Sequence, residues 1–130
     1  MIEPSTALRE FLAERHHGAL ATLRADGSPH VVPVGFTTSF VDGRATVRII
    51  TFAGAVKVAN VRRDGRASIT QIDGARWITF RGAARVLDDA DTVAAAVTAY
   101  AVRYRQPKER TDRVVLEIDV EHVMCNSGLR

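Results

Sequence analysis

Lys57 has an unusual position for a cation. The chain carries sixteen arginines but only two lysines, Lys57 and Lys108. Lys57 follows an apolar run and the turn residues Ala53 and Gly54, at the predicted start of a helix. A helix N-terminus is partly positive and disfavours a cation, whereas a phosphate there would accept hydrogen bonds from free amide groups and from the ammonium. The pattern therefore predicts an anion-binding turn.

The elements that would position Lys57 are mostly strands. Asp-Gly pairs between apolar runs indicate hairpins. Alternation and turns predict six strands, at 18–24, 28–40, 44–52, 66–72, 75–87 and 113–124, and helices from about Thr6 to Arg15, from the turn at 53–54 to about Arg63, and from Asp88 to about Arg105. Hairpins with few helices predict a mainly β fold, a six-stranded, closed or nearly closed antiparallel barrel.

A barrel of this size fills its interior with side chains. A sizeable cofactor must therefore lie outside it, and a dimer interface is a natural way to bury one. The length of 130 residues predicts a single domain, 1–130. In the last strand, Leu116 and Ile118 alternate with Glu117 and Asp119, which predicts a half-buried strand.

The charge is dispersed along the chain. The net charge is +3, with no uninterrupted basic block, and aromatic residues make up 6% of the chain, which favours small anionic ligands over nucleic acid. The N-terminus has no signal-peptide pattern, and no run approaches the about 20 apolar residues of a membrane span. One cysteine, Cys125, agrees with a reducing compartment. We therefore predict a soluble, cytoplasmic protein.

Several common chemistries have no motif here. Neither GxGxxG nor GxxxxGK[ST] occurs, and no serine lies in a GxSxG context. Zinc sites need three or four converging ligands, and only His122 and Cys125 share a short spacing, so we predict no metal.

The tryptophan has two possible environments. Trp77 and Arg81 alternate with Ile78 and Phe80 along one predicted strand. If Ile78 and Phe80 point inward, Trp77 lies outside, where it suits an interface or a flat aromatic ligand. Packing under a helix is the alternative.

Three segments together resemble a known family. They are LATLRADGSPHVVPVGFTTSFVDG, RIITFAGAVKVANVRRDGRASI and DGARWITFRGAARV, and they resemble the split β-barrel flavin and deazaflavin oxidoreductases, relatives of pyridoxamine 5′-phosphate oxidase. Thr51, Lys57 and Asn60 resemble the branch that uses the deazaflavin F420. The short motifs DGARW and RYRQP resemble the actinobacterial biliverdin reductases of that branch.

The resemblance implies a homodimer with F420 at the subunit interface. Lys57, Thr51, Asn60 and Arg48 would hold the cofactor phosphate. The other implied cofactor contacts are Pro33, Val34, Gly35 and Phe36 facing the ring system, with Ile50, Gln71 and Trp77. The turn lacks the Ser or Thr often found just before the Lys in this superfamily, and backbone amides would replace that hydroxyl.

The implied reaction is hydride transfer from reduced F420 to a conjugated substrate such as a bilin, with the proton from solvent or an arginine-held water. The bilin propionates would bind arginines, for which the candidates are Arg48, Arg76, Arg81, Arg103 and Arg105. Two alternatives stay open. One is an FMN enzyme acting on a pyridoxal vitamer, and the other is a non-catalytic protein that sequesters a cofactor or pigment.

Overall fold

The structure is a computed structural model that describes residues 2–130, and within them it has seven strands and three α-helices. The helices are α1 (Thr6–Ala13), α2 (Val56–Arg63) and α3 (Ala90–Arg103). The strands are β1 (Gly18–Leu23), β2 (Pro29–Val34), β3 (Thr37–Val41), β4 (Arg44–Phe52), β5 (Arg66–Asp73), β6 (Arg76–Leu87) and β7 (Arg113–Cys125), and a 3₁₀ turn follows at Ser127–Leu129.

All seven strands form one antiparallel sheet in the order β2-β1-β5-β6-β7-β4-β3. The prediction of six strands was wrong because segment 28–40 is two strands. Its first part pairs with β1, and its second part pairs with β4 at the far edge of the sheet. Six antiparallel steps separate β2 from β3, so both run in the same direction. One extended segment therefore passes from one sheet edge to the other and curls the sheet into a split barrel.

The passage between the edges is made at Gly35 and Phe36. The Phe36 N–H donates to the Tyr104 hydroxyl at 3.1 Å, and the Phe36 carbonyl accepts from Arg103 Nη1 at 2.7 Å. A Cβ on residue 35 would lie 2.7 Å from the Tyr100 ring, which requires glycine. Side chains of the end of α3 thus replace the strand partners that this backbone lacks.

The sheet is open between its two edge strands, β2 and β3. Within residues 2–130, neither strand pairs with the other, so the predicted closure is incomplete. The inner face carries one apolar core, to which β1, β4, β5, β6 and β7 all contribute. Helix α1 packs near the end of β5, where Gln71 donates to the Phe11 carbonyl, and α2 packs near the end of β1, where Asn60 donates to Thr22. Because β1 and β5 are antiparallel, the two helices cover opposite ends of the barrel.

Helix α1 is shorter than predicted. Ser5 caps its N-terminus by accepting from the Leu8 N–H at 3.0 Å. The helix ends at Ala13 rather than near Arg15, since Glu14 is extended and its carbonyl accepts from Arg103 Nε. A tertiary contact, invisible in the local sequence, sets this end.

Helix α3 begins as its acidic residues predict. Asp89 accepts from the Thr92 N–H at 3.0 Å. The helix packs on the outer side of β3, β4 and β7. It therefore buries Val115 and Glu117 on the outer face of β7, so this part of the strand is covered on both faces, whereas the alternation predicts a half-buried strand. None of the described helices is long and apolar enough to span a membrane.

The long β6–β7 pair contains a bulge. The register shifts between Arg81 and Gly82, so that Arg81 faces His122 while Gly82 faces Val120. A Cβ at Gly82 would lie 1.9 Å from the Asp119 carbonyl oxygen. The bulge therefore leaves room for hydrogen alone at position 82.

We expect Gly82→Ala to lower the free energy of unfolding by about 2 kcal/mol or more, because the neighbouring backbone must move. Gly54→Ala is the matched control, since nothing lies within 4 Å of its added Cβ. Urea denaturation of both variants checks this. Equal stabilities would contradict the close approach at Gly82.

Candidate functional site

The turn before α2 has donors without acceptors. Ala55 caps the helix with no side-chain hydrogen bond. Within residues 2–130, the backbone N–H groups of Gly54, Val56 and Lys57 and the Lys57 ammonium have no hydrogen-bond partner. Burial lowers the pKa of Lys57, which is half-buried. Several donors around one turn fit an anion, which would compensate both the helix dipole and the buried charge.

Arg48 and Ile50 lie on the outer face of β4. Arg48 Nε donates to Glu117 Oε2 at 2.8 Å, and Arg85 Nη2 donates to the other carboxylate oxygen at 2.8 Å. Burial raises the pKa of Glu117, but the hydrogen bonds from Arg85 and Arg48 outweigh it, and the pKa is lowered overall. One carboxylate between two guanidiniums leaves a net positive group, and it orients Arg48.

The side chains of Thr51 and Asn60 point into the protein. Thr51 is on the inner face of β4, opposite to Arg48. Asn60 is buried, where its Nδ2 donates to Thr22 Oγ1 at 3.1 Å and its Oδ1 accepts from Arg63 at 3.2 Å. Both side chains belong to the barrel end that α2 covers, and Asn60 fixes α2 on β1.

Arg103 and Gln71 form a buried polar network. Arg103 is 9% exposed, and its guanidinium donates to the Glu14 carbonyl, the Phe36 carbonyl and Gln71 Oε1. Gln71 is fully buried and donates to the Phe11 carbonyl. The guanidinium carbon also lies 4.5 Å from the centroid of the Phe36 ring. The network joins α1, β5 and α3 to Gly35 and Phe36, the two residues between β2 and β3, which are called the Gly35–Phe36 link below.

The segment predicted to face the cofactor ring, residues 33–36, lies where the chain passes from β2 to β3, between the two edges of the sheet. Pro33 is exposed on the outer face of β2, while Val34 and Phe36 are buried in the core. Gly35 contacts Tyr100 of α3. Because β3 begins at Thr37 opposite Arg48, the link lies beside β4 close to Arg48 and Ile50.

Trp77 lies on the outer face of the sheet. Ile78 and Phe80 are buried in the core, which confirms that Trp77 faces outward, and Trp77 is half-buried there. It pairs with Ile72 of β5. Arg81, on the same face, and Arg105, after α3, are exposed.

Arg76 is held by carboxylates. It donates to both oxygens of Glu14 at 2.8 Å and to Asp73 at 2.6 Å. The hydrogen bond from Arg76, helped by His16, lowers the pKa of Glu14 to about 2. Glu14, His16 and Asp73 lie within 4.8 Å of one another. Arg76 already supplies the positive charge that such a cluster needs.

Two residues that organise the candidate site, Glu117 and Tyr104, were not predicted from the sequence. Glu117 lies among alternating acids that look solvated, and its partners Arg48 and Arg85 come from two other strands. Tyr104, in the RYRQP motif, donates to the His16 carbonyl at 2.6 Å and holds Phe36. No local pattern marks either one, because each role depends on long-range pairing.

The chain is similar to known proteins in both sequence and fold. The profile of the family described as pyridoxamine 5′-phosphate oxidase matches residues 5–125. An F420H(2)-dependent biliverdin reductase of Mycobacterium tuberculosis strain CDC 1551 is 44% identical over 99% of this chain and 96% of its own.

Two solved structures are also similar. A conserved hypothetical protein from Mycobacterium tuberculosis has a TM-score of 0.77 at 25% identity, covering 95% of this chain and 85% of its own. A structure described as an F420 reductase has a TM-score of 0.73 at 23% identity, covering 92% of this chain and 98% of its own, and it supports the fold.

We expect Arg103→Lys to lower the free energy of unfolding by about 2 to 4 kcal/mol, because an ammonium cannot make all three buried contacts and leaves acceptors unpaired. Arg105→Lys, at an exposed position, should change it by less than about 0.5 kcal/mol. Thermal and urea unfolding measure the difference. Similar values for the two variants would argue against the buried network.

Proposed function

Since the chain belongs to the pyridoxamine 5′-phosphate oxidase family, we propose that it is an F420H2-dependent oxidoreductase that reduces biliverdin. The carrying observation is its 44% identity, across nearly all of both chains, with an F420H(2)-dependent biliverdin reductase. The unsatisfied donors at the turn before α2 agree with it, because F420 carries a phosphate that needs such a cradle.

The cofactor phosphate is assigned to Lys57 and the free amides of Gly54 and Val56. The amides stand in for the hydroxyl that this turn lacks. Arg48, oriented by Glu117, is assigned to the same cofactor from the outer face of β4. Thr51 and Asn60 support the turn from within the barrel, since Asn60 is engaged with Thr22.

When bound, reduced F420 supplies a hydride to an electrophilic carbon of the conjugated acceptor. The protein's part is to hold donor and acceptor face to face and to exclude water. The rigid Gly35–Phe36 link, fixed by Arg103 and Tyr104, provides one wall for this purpose. A wall already held by hydrogen bonds loses less conformational entropy on binding than a mobile segment would.

We assign Arg103 and Gln71 a supporting role in place of direct ligand contact. Their polar atoms are used inside the protein, and both side chains are buried. Arg76 is similarly engaged with Glu14 and Asp73. Arg81 and Arg105 are exposed and stay candidates for acidic groups of the substrate.

A homodimer is part of the proposal. The outer face of β2, β1, β5 and β6 carries the exposed apolar side chains Val31 (57%) and Ile72 (67%), with Trp77 beside Ile72. Met124, 53% exposed, continues this face on β7 opposite Thr79. Pro33 lies on the same face at the split. A second copy docked here would cover the apolar side chains and close the cofactor cleft. The cytoplasmic location predicted from the sequence stays a prediction.

We expect Lys57→Ala to weaken F420 binding by at least about tenfold, because a charge-assisted hydrogen bond to phosphate is lost. Titration followed by cofactor fluorescence measures this. Lys108→Ala, which removes the other lysine, is the matched control and should bind like the wild type.

The same titration with FMN tests the cofactor assignment. Tighter binding of FMN than of F420 would move the protein to the oxidase branch. Tight F420 binding without turnover of biliverdin would favour a cofactor-sequestering protein.

We expect the wild type to sediment at twice the chain mass of 14.2 kDa, and Ile72→Asp to shift the protein toward monomer, because it places a charge in an apolar contact. Val41→Asp is the control, since Val41 is 60% exposed at the β3–β4 turn, away from that face. Analytical ultracentrifugation distinguishes the two. A monomeric wild type would contradict the dimer.

A further inference from the structure

A groove separate from the phosphate turn lies between α1, β3 and α3. Its volume is about 420 Å³, which is within the range of small-molecule sites. Leu12 of α1, Phe40 of β3 and Val102 of α3 form an apolar lining, and Val102 is 85% exposed at its edge.

The charge of the groove has one sign. Arg9 and Arg103 are among its lining residues, and no acidic residue is. Within residues 2–130, Arg9 has no carboxylate partner, and its guanidinium carbon lies 5.6 Å from the centroid of the Phe40 ring. Arg103 has only uncharged partners. An apolar cleft with an unpaired arginine at its side fits a ligand with an apolar body and a carboxylate.

The groove adjoins a hollow lined by Arg48, with which it shares Thr37 and Thr38. Its wall includes Thr37, which directly follows Phe36 and pairs with Arg48 across β3 and β4. Arg103 borders the groove and also holds the Phe36 carbonyl. A molecule in contact with the link can therefore extend along β3 toward Arg9.

We propose that this groove binds a carboxylate-bearing arm of the acceptor substrate and that Arg9 is the residue that recognises the carboxylate. The inference rests on the proposed function, because it takes biliverdin as the acceptor. Biliverdin fits the groove chemically, since it joins an extended conjugated body to two propionates. The arginine that recognises its acid would then lie on α1, apart from Arg76, Arg81, Arg103 and Arg105.

The test compares biliverdin with its dimethyl ester, which has the same conjugated body without the carboxylates. Binding of each pigment to the protein without F420 is followed by its visible absorbance, for wild type, Arg9→Gln and Arg15→Gln. Arg15 is the matched control because it is an exposed arginine just past the end of α1 and does not line the groove.

We expect Arg9→Gln to raise the Kd for biliverdin about tenfold, through loss of a charge-assisted hydrogen bond, and to leave the Kd for the ester within twofold. Arg15→Gln should bind both pigments like the wild type. With F420H2 present, Arg9→Gln should raise the KM for biliverdin with kcat and F420 affinity unchanged.

Equal losses for biliverdin and its ester in Arg9→Gln, or equal Kd values for Arg9→Gln and Arg15→Gln, would overturn the assignment. So would a wild type that binds neither pigment. If the wild type binds biliverdin through Arg9 but does not reduce it with F420H2, the proposed reaction fails while the groove assignment stands.

Discussion

The fold depends on how one short piece of backbone is satisfied where two strands meet. At Gly35 and Phe36 the chain passes from β2, paired with β1 at one edge of the sheet, to β3, paired with β4 at the other edge, and its polar groups lose their ladder partners. Arg103 and Tyr104 supply the missing hydrogen bonds from the end of α3. Because a buried unpaired backbone group is costly, this contact allows a flat sheet to become a split barrel.

The same contact connects the barrel to its candidate site. Arg103 also holds the Glu14 carbonyl and Gln71, so the end of α1, the end of β5 and the link are fixed together. Within residues 2–130 the guanidinium has no carboxylate partner, and its charge is stabilised by carbonyl dipoles and the Phe36 ring. The hydrogen bonds of Arg103 therefore favour one geometry for the Gly35–Phe36 link. A site that orients two reactants needs such a fixed wall.

Some cations of this protein have anionic partners and others do not. Glu117 draws together Arg48 and Arg85 beneath α3, and Arg76 is held by Glu14 and Asp73. Lys57 and Arg9, by contrast, have no anionic partner within residues 2–130. Since most buried or half-buried charges in proteins are paired, the half-buried Lys57 indicates where an anionic ligand belongs.

The sequence alone determined the local features: the Asp-Gly hairpins, the acidic start of α3 and the strand–turn–helix around Lys57. Each depends on neighbours a few residues apart. The split at Gly35, the inward direction of Ile78 and Phe80, the burial of Glu117 and the contacts of Arg103 were decided only by the tertiary structure. Arg103 and Glu117 have partners 32 to 89 residues away in the chain. The periodicity of a sequence shows which face of one element is buried, but it does not show which distant element packs against that face.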